Sequence, residues 1–125
     1  GKFEDYETFR GSYHFAFAAI GNNSNRSRWL TSLKRKGYKI PVLIHPTAYI
    51  SPSAIIEEGT IVEAKAAVNT KAIIHTGSII DIGAIIDHDA VIEDYCHVDC
   101  GAIIKAYVRV EREVKVEAGV VVKKK

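Results

Sequence analysis

The chain has 125 residues, of which 47% are hydrophobic and 26% charged, with a formal net charge of +2. This is the apolar content of a globular chain of one or two small domains. No run of about twenty apolar residues is present, so no membrane span is expected. The N-terminus also lacks the basic, apolar, small-residue order of a secretory signal, which points to the cytoplasm.

The charge is unevenly spread. Residues 1–47 carry eight Lys/Arg against three acids, whereas 48–125 carry nine against twelve. A basic N-terminal part suits a phosphate-bearing ligand, and equally suits a solvated helix face bearing Arg35 and Lys36. Nucleic acid is not indicated, because no aromatic–basic interleaving accompanies the charge.

In chain order, Tyr13–Ile20 (YHFAFAAI) is apolar and aromatic enough for a buried strand. Gly21-Asn22-Asn23-Ser24-Asn25 breaks it, and Ser24 or Asn25 is placed to cap a helix running to about Lys36. Trp29, Leu30 and Leu33 form the helix's apolar stripe, and Gly37 ends it. A second short strand is expected over Lys39–Ile44, with Pro41 suggesting a sheet edge or the strand's beginning. Strand, helix and strand make one α/β unit, too small alone to cover both faces of a sheet.

From Ala48 to Lys125 the sequence divides into thirteen six-residue units without an insertion or deletion. The third position is Ile or Val in every unit, from Ile50 to Val122, and the first is small or β-branched. The fourth is polar from Ser51 to Lys123, and the sixth often carries a turn former such as Gly77 or Asp89. Alternate side chains of a strand share a face, so positions 1 and 3 point inward and 2 and 4 outward. Positions 5 and 6 then turn the chain. Short β-branched strands joined by sharp corners, with no helix to cover them, stack coil on coil as a parallel β-solenoid. An ordinary antiparallel protein would need hairpins of varied spacing. Cys96 and Cys100 occupy the first and fifth positions of one unit. They are expected as a buried small residue and a corner residue, both free thiols. CxxxC without a second cluster is not a zinc signature, and no metal site is expected.

The repeat resembles that of the hexapeptide-repeat proteins, whose fold is the left-handed parallel β-helix with three units per triangular coil. The resemblance implies a mainly β fold. A left-handed parallel β-helix of about four coils spans 48–125, after a small N-terminal α/β, partly Rossmann-like segment over 1–47. Two further phrases are similar to the junction in a family of bacterial sugar O- and N-acetyltransferases. They are Ala19-Ile20-Gly21-Asn22-Asn23, followed by Arg26 or Arg28, and Leu43-Ile44-His45-Pro46-Thr47-Ala48. That family uses acetyl-CoA to acetylate sialic acids or UDP-linked amino sugars for surface polysaccharide and glycoprotein synthesis, and it assembles as homotrimers. By this resemblance Asn22, Asn23 and Arg26 bind the sugar or nucleotide-sugar substrate. The family's opening strand and Gly-rich phosphate turn are missing here, and VRVEREVKVEAGVVVKKK lacks the further coils that contact coenzyme A. The chain is therefore expected to be a trimmed or engineered piece, or a shortened relative. Its last coil is expected to expose Val116, Val120 and Val122.

Of the five histidines, His88 sits at a corner in Ile86-Asp87-His88-Asp89, outside the inward stripe. An imidazole with a carboxylate beside it suits a general base. By resemblance, His88 matches the family's catalytic histidine and Asp89 its orienting acid. Ala106 stands near the family's glycine amide, which steadies the oxyanion formed from acetyl-CoA. His97 falls where the family carries a second histidine near the acetyl-CoA cleft, and its position in the unit equally fits a solvated outward residue. Half a coil separates His88 from His97, so the two can converge only between neighbouring subunits. His75 is expected as a polar surface residue and His45 as a structural hydrogen bonder.

Two other readings stand beside the acetyltransferase. One is a catalytically inactive or engineered β-solenoid structural module, favoured by the missing phosphate loop and the regular C-terminus. The other is a γ-carbonic-anhydrase-like metal enzyme. Its histidine spacing, a long gap then a short one, is not matched by the gaps of thirteen and nine between His75, His88 and His97.

Overall fold

A computed structural model describes Gly11 and residues 13–124. Positions 2 and 3 of each of the thirteen units form a two-residue strand, and Leu43–Ile44 precedes them as another, giving fourteen strands among the described residues, numbered in chain order. One sheet contains β1 (Leu43–Ile44), β4 (Ile61–Val62), β7 (Ile79–Ile80), β10 (His97–Val98) and β13 (Lys115–Val116). The second contains β2 (Tyr49–Ile50), β5 (Ala67–Val68), β8 (Ile85–Ile86), β11 (Ile103–Ile104) and β14 (Val121–Val122). The third contains β3 (Ile55–Ile56), β6 (Ile73–Ile74), β9 (Val91–Ile92) and β12 (Arg109–Val110). All pairs are parallel, and each strand pairs with the one three units on, as in Leu43↔Ile61↔Ile79↔His97↔Lys115. Three units therefore close one coil, and about four coils make a mainly β parallel solenoid.

The inward positions fill the interior as the period requires. Val62, Val68, Ile74, Ile80, Ile86, Ile92, Val98 and Ile104 are fully buried, with Ala66, Ala72, Ala84, Ala90, Cys96 and Ala102 packed beside them. Polar first positions are satisfied inside: Thr60 Oγ1 donates to the His75 carbonyl at 3.0 Å, and Ser78 Oγ to that of Glu93 at 3.1 Å. Cys96 is buried and Cys100 exposed, both as free thiols, as expected. In the last coil Val120 is exposed, but Val116 is buried, contrary to expectation. Stacking of β13 on β10 shields its inward side chain with the three walls of the coil.

From Gly59 to Gly119, the sixth-position residue of each corner takes a left-handed backbone conformation. The expectation of turn formers there holds only in part: Lys65, Lys71, Asp89, Tyr95, Tyr107 and Glu113 adopt φ of 57–64° without being glycine. L-residues occupy that region at a cost. The cost is offset by ladder bonds such as Asp89 N–H to the Thr70 carbonyl at 3.0 Å and Tyr95 N–H to that of Thr76 at 2.8 Å.

The N-terminal segment departs from the strand–helix–strand expectation. The helix α1 runs Asn23–Arg35, and its cap is Asn22, whose side chain accepts from Asn25 N–H at 2.8 Å, instead of Ser24 or Asn25. Leu30 and Leu33 are buried as expected, and the chain leaves the helix through Gly37 at φ 92°. The strand over Tyr13–Ile20 reduces to a single parallel bridge between Phe15 and Lys39, with Tyr13 and Phe15 exposed. Among the described residues the segment packs Ala18 against Leu30 and Leu33 of the helix, and no further strand pairs with it to cover those aromatics. The strand over Lys39–Ile44 is likewise split at Pro41, which has no N–H to pair. Its end, Leu43–Ile44, belongs to the solenoid as β1. Helix α1 rests on the solenoid corner formed by Gly59, Gly77 and Tyr95. A Cβ added at Gly59 would lie 3.2 Å from Leu30 Cδ1, so the bare corner sets how closely the helix approaches. No helix among the described residues is long and apolar enough to cross a membrane.

Candidate functional site

The corner between β8 and β9 carries Asp87-His88-Asp89. Asp87 accepts from the His88 backbone N–H at 2.8 Å and from Asn69 Nδ2 at 3.2 Å. The first of these bonds, then the second, holds its carboxyl below the usual carboxylate range. His88 Nδ1 lies 3.0 Å from Asp89 Oδ2, and its side chain is 48% exposed. In the neutral ring Nδ1 donates to Asp89, which leaves the Nε2 lone pair free to take a proton. The geometry brings together the two residues read from sequence as base and orienting acid.

Ala106 occupies the same corner one coil on. At neighbouring corners a fourth-position aspartate caps the following amide: Asp81 takes Ile82 N–H, Asp87 takes His88 N–H and Asp99 takes Cys100 N–H. Lys105 stands at that position before Ala106 and has no acceptor to offer. The Ala106 amide thus has no partner among the described residues, although the next amide, Tyr107 N–H, reaches the His88 carbonyl at 3.4 Å. Tyr107 was not singled out in the sequence. It follows Asp89 by 18 residues, the length of one coil, and that count was the available signal. Its ring meets the His88 ring edge-on, with centroids 5.4 Å apart.

A second group forms on the outer face of β10, away from that corner. His97 Nε2 lies 3.0 Å from Asp81 Oδ2, and its side chain is only 14% exposed, so it is not a freely solvated residue. With Gly21, Asn22, Asn23, Ser24, Glu113 and Lys115 it lines a cleft of about 570 Å³ at the N-terminus of α1. Asn22, Asn23 and His97 are thereby brought together, while His88, Asp89 and Ala106 sit elsewhere on the same chain.

Arg26 requires a correction. Expected at the substrate, it is fully buried and spent on protein acceptors. Nε donates to the Gly77 carbonyl at 2.6 Å, and Nη1 to those of Ile20 and Gly21 at 3.0 and 3.2 Å. Nη2 donates to Asn23 Oδ1 at 2.8 Å and to the Cys96 carbonyl at 3.0 Å. All five donors are engaged, so Arg26 clamps the helix to the solenoid and has nothing left for a ligand. Burial pulls its pKa down to about 10, still charged at neutral pH.

Two other histidines have local side-chain partners. His75 Nδ1 lies 2.9 Å from Glu57 Oε1, and His45 Nδ1 lies 2.9 Å from Thr47 Oγ1. Glu57, His75 and Asp94, and separately Asp81, Asp99 and Cys100, bring potential metal-ligating atoms within 4.8 Å of one another. Their carboxylates already accept from protein donors.

The described residues thus form a three-sheet parallel solenoid of hexads with an outward His–carboxylate corner one coil from the Ala106 amide. Comparison with solved structures carries this further. The acetyltransferase domain of PglB from Neisseria gonorrhoeae FA1090 matches with a TM-score of 0.85 and 36% sequence identity, over 86% of this chain and 52% of that one. The same domain in complex with acetyl coenzyme A matches at 0.84 and 36%, with the same coverage. A mutant of perosamine N-acetyltransferase from Caulobacter crescentus, in complex with CoA and GDP-perosamine, matches at 0.85 and 27%, over 97% of this chain and 67% of that one. The chain spans about half the length of the PglB domain. No family model and no curated protein matches the sequence. These structural neighbours are acetyltransferases, one of them acting on perosamine, and the resemblance read from the repeats is borne out.

Proposed function

We propose that this chain forms part of an acetyl-CoA-dependent sugar acetyltransferase. The observation that carries the reading is the His88–Asp89 pair with its open Nε2, set below the unpartnered Ala106 amide. His88 Nε2 takes the proton from a sugar amine or hydroxyl as that group attacks the thioester carbonyl, and Asp89 steadies the imidazolium that results. The Ala106 N–H donates to the oxygen that gains charge. The carbon–sulfur bond then breaks, the proton passes from His88 to the departing thiolate, and acetylated sugar and free CoA are released. The acceptor class follows the neighbours, one of which was solved with GDP-perosamine.

Several finer assignments belong to the same reading. The solenoid is left-handed, and 1–47 is the remnant of a Rossmann-like nucleotide-sugar unit ahead of the β-helix of 48–125. The chain works as a cytoplasmic homotrimer in polysaccharide biosynthesis, with Asn22 toward the sugar and His97 toward acetyl-CoA, while Asn23, bonded to Arg26 and to the Glu113 carbonyl, shapes the cleft wall. The outward ladder Tyr49, Ala67, Ile85, Ile103 and Val121 supports association, because it is apolar along its length and Tyr49 and Val121 are more than half exposed. Only a neighbouring subunit can bring one chain's His88 beside another's cleft. Calorimetric titration with acetyl-CoA, run beside sedimentation, tests this. Saturable binding below about 1 mM by a trimer is expected; no binding, or a monomer, overturns it.

A further inference from the structure

We propose that Tyr107 is a positioning residue for His88, fixing the imidazole so that Nε2 stays directed outward. The proposal rests on the acetyl-transfer reading above and adds a residue to it.

Three observations converge. Tyr107 takes the sixth position of its unit, one coil beyond Asp89, and its N–H reaches the His88 carbonyl at 3.4 Å. Its ring stands at 89° to the His88 ring with centroids 5.4 Å apart, the edge-to-face arrangement that aromatic quadrupoles favour. Finally, Tyr107 holds φ at 64°, a conformation that about half of the corners leave to glycine, and yet it is 58% exposed. A strained tyrosine that buries so little is not explained by packing of the core.

The mechanics follow from the two contacts. Asp89 grips Nδ1, which fixes one edge of the imidazole. Tyr107 occupies the flank through which the ring would rotate away from that carboxylate. Lys124 Nζ lies 5.9 Å from the centre of the Tyr107 ring, and this cation–π contact steadies the tyrosine in turn. The assembly is a clamp of carboxylate and aromatic ring that leaves one nitrogen open.

The test uses Tyr107→Gly, which removes the ring while relaxing the backbone, and Tyr107→Phe, which keeps the ring. With acetyl-CoA and GDP-perosamine as the probe pair, Tyr107→Gly should lower kcat about two- to tenfold, the worth of one aromatic pair. Its KM for acetyl-CoA and its Tm should not suffer, and Tyr107→Phe should retain wild-type kcat. Unchanged kcat in Tyr107→Gly overturns the proposal. A second readout is independent of turnover: nitrogen NMR of the His88 ring should show one Nδ1–H tautomer in wild type and Tyr107→Phe, and a mixture in Tyr107→Gly. If wild type transfers no acetyl group, the functional reading fails while the spectra still decide Tyr107's role. Identical spectra in all three proteins sink it.

Discussion

His88 Nδ1 lies 3.0 Å from the carboxylate of the residue that follows it, Asp89. Neighbours in sequence meet side chain to side chain here because Asp89 is turned into the left-handed region at φ 59°. The hexad corner, which closes the coil, thus also brings the imidazole of His88 and the Asp89 carboxylate together.

Asp89→Asn tests that coupling. Asparagine tolerates the left-handed corner but cannot neutralise an imidazolium. Turnover should fall, by no more than the roughly 10²–10⁴-fold expected for losing the base itself, with Tm preserved. A rate equal to wild type would detach Asp89 from the chemistry.

Arg26→Ala leaves five acceptors without their donor and removes the buried polar link between α1 and the solenoid, while the exposed Asn23–Glu113 and Lys34–Glu58 contacts stay. A stability loss of at least about 1–3 kcal/mol is expected, the cost of leaving buried acceptors unsatisfied. Urea unfolding measures it, and a loss below about 1 kcal/mol would contradict the clamp.

Two glycine corners separate strain from sterics. Gly77→Ala and Gly83→Ala both force alanine into positive φ, but only the former puts its Cβ 2.4 Å from the Tyr95 ring. Gly83→Ala should cost about 1–2 kcal/mol, and Gly77→Ala about 1–3 kcal/mol more from overpacking. Equal losses would mean that Tyr95 moves aside freely.

The two thiols should react unequally. Burial pushes Cys96 up to about 11, whereas Cys100 is exposed, its own thiol raised first by desolvation and then by Asp81. One slow equivalent per native chain is expected with a thiol reagent at pH 8, and two after denaturation. Two fast equivalents in the native protein would refute the buried position of Cys96.

Asp87 gives the acid limb its sign. Its folded pKa lies below the ordinary 3.8, so its contribution is complete above that value and is lost as pH falls through the folded one. Asp87→Asn should therefore narrow the stability difference between neutral and strongly acidic solution. Stability curves of equal steepness in acid would show that Asp87 is not coupled to folding.

The solenoid was legible because its signal is repeated: an error in one hexad cannot hide thirteen Ile/Val third positions. The His88 corner was legible for a related reason, as a break in chemistry at a known place in the period. Arg26 was not, because its acceptors on Gly77 and Cys96 lie 51 and 70 residues away in sequence. Nor was the fate of Tyr13–Ile20, an apolar run that reads as a buried strand but finds one bridge at Lys39. Local pattern carries no information on whether further strands pair with the segment. Tyr107 lay between these cases, visible once corners are stacked every 18 residues but silent in the linear motif.

The most direct test of the account is CoA release from acetyl-CoA by wild type and His88→Ala, with GDP-perosamine and other nucleotide-linked amino sugars as acceptors. The expected result is acceptor-dependent release that falls roughly 10²–10⁴-fold in the variant while its fold is retained. Equal release by the two proteins would contradict His88 as the base, and no release from wild type with any acceptor would contradict the acetyltransferase itself.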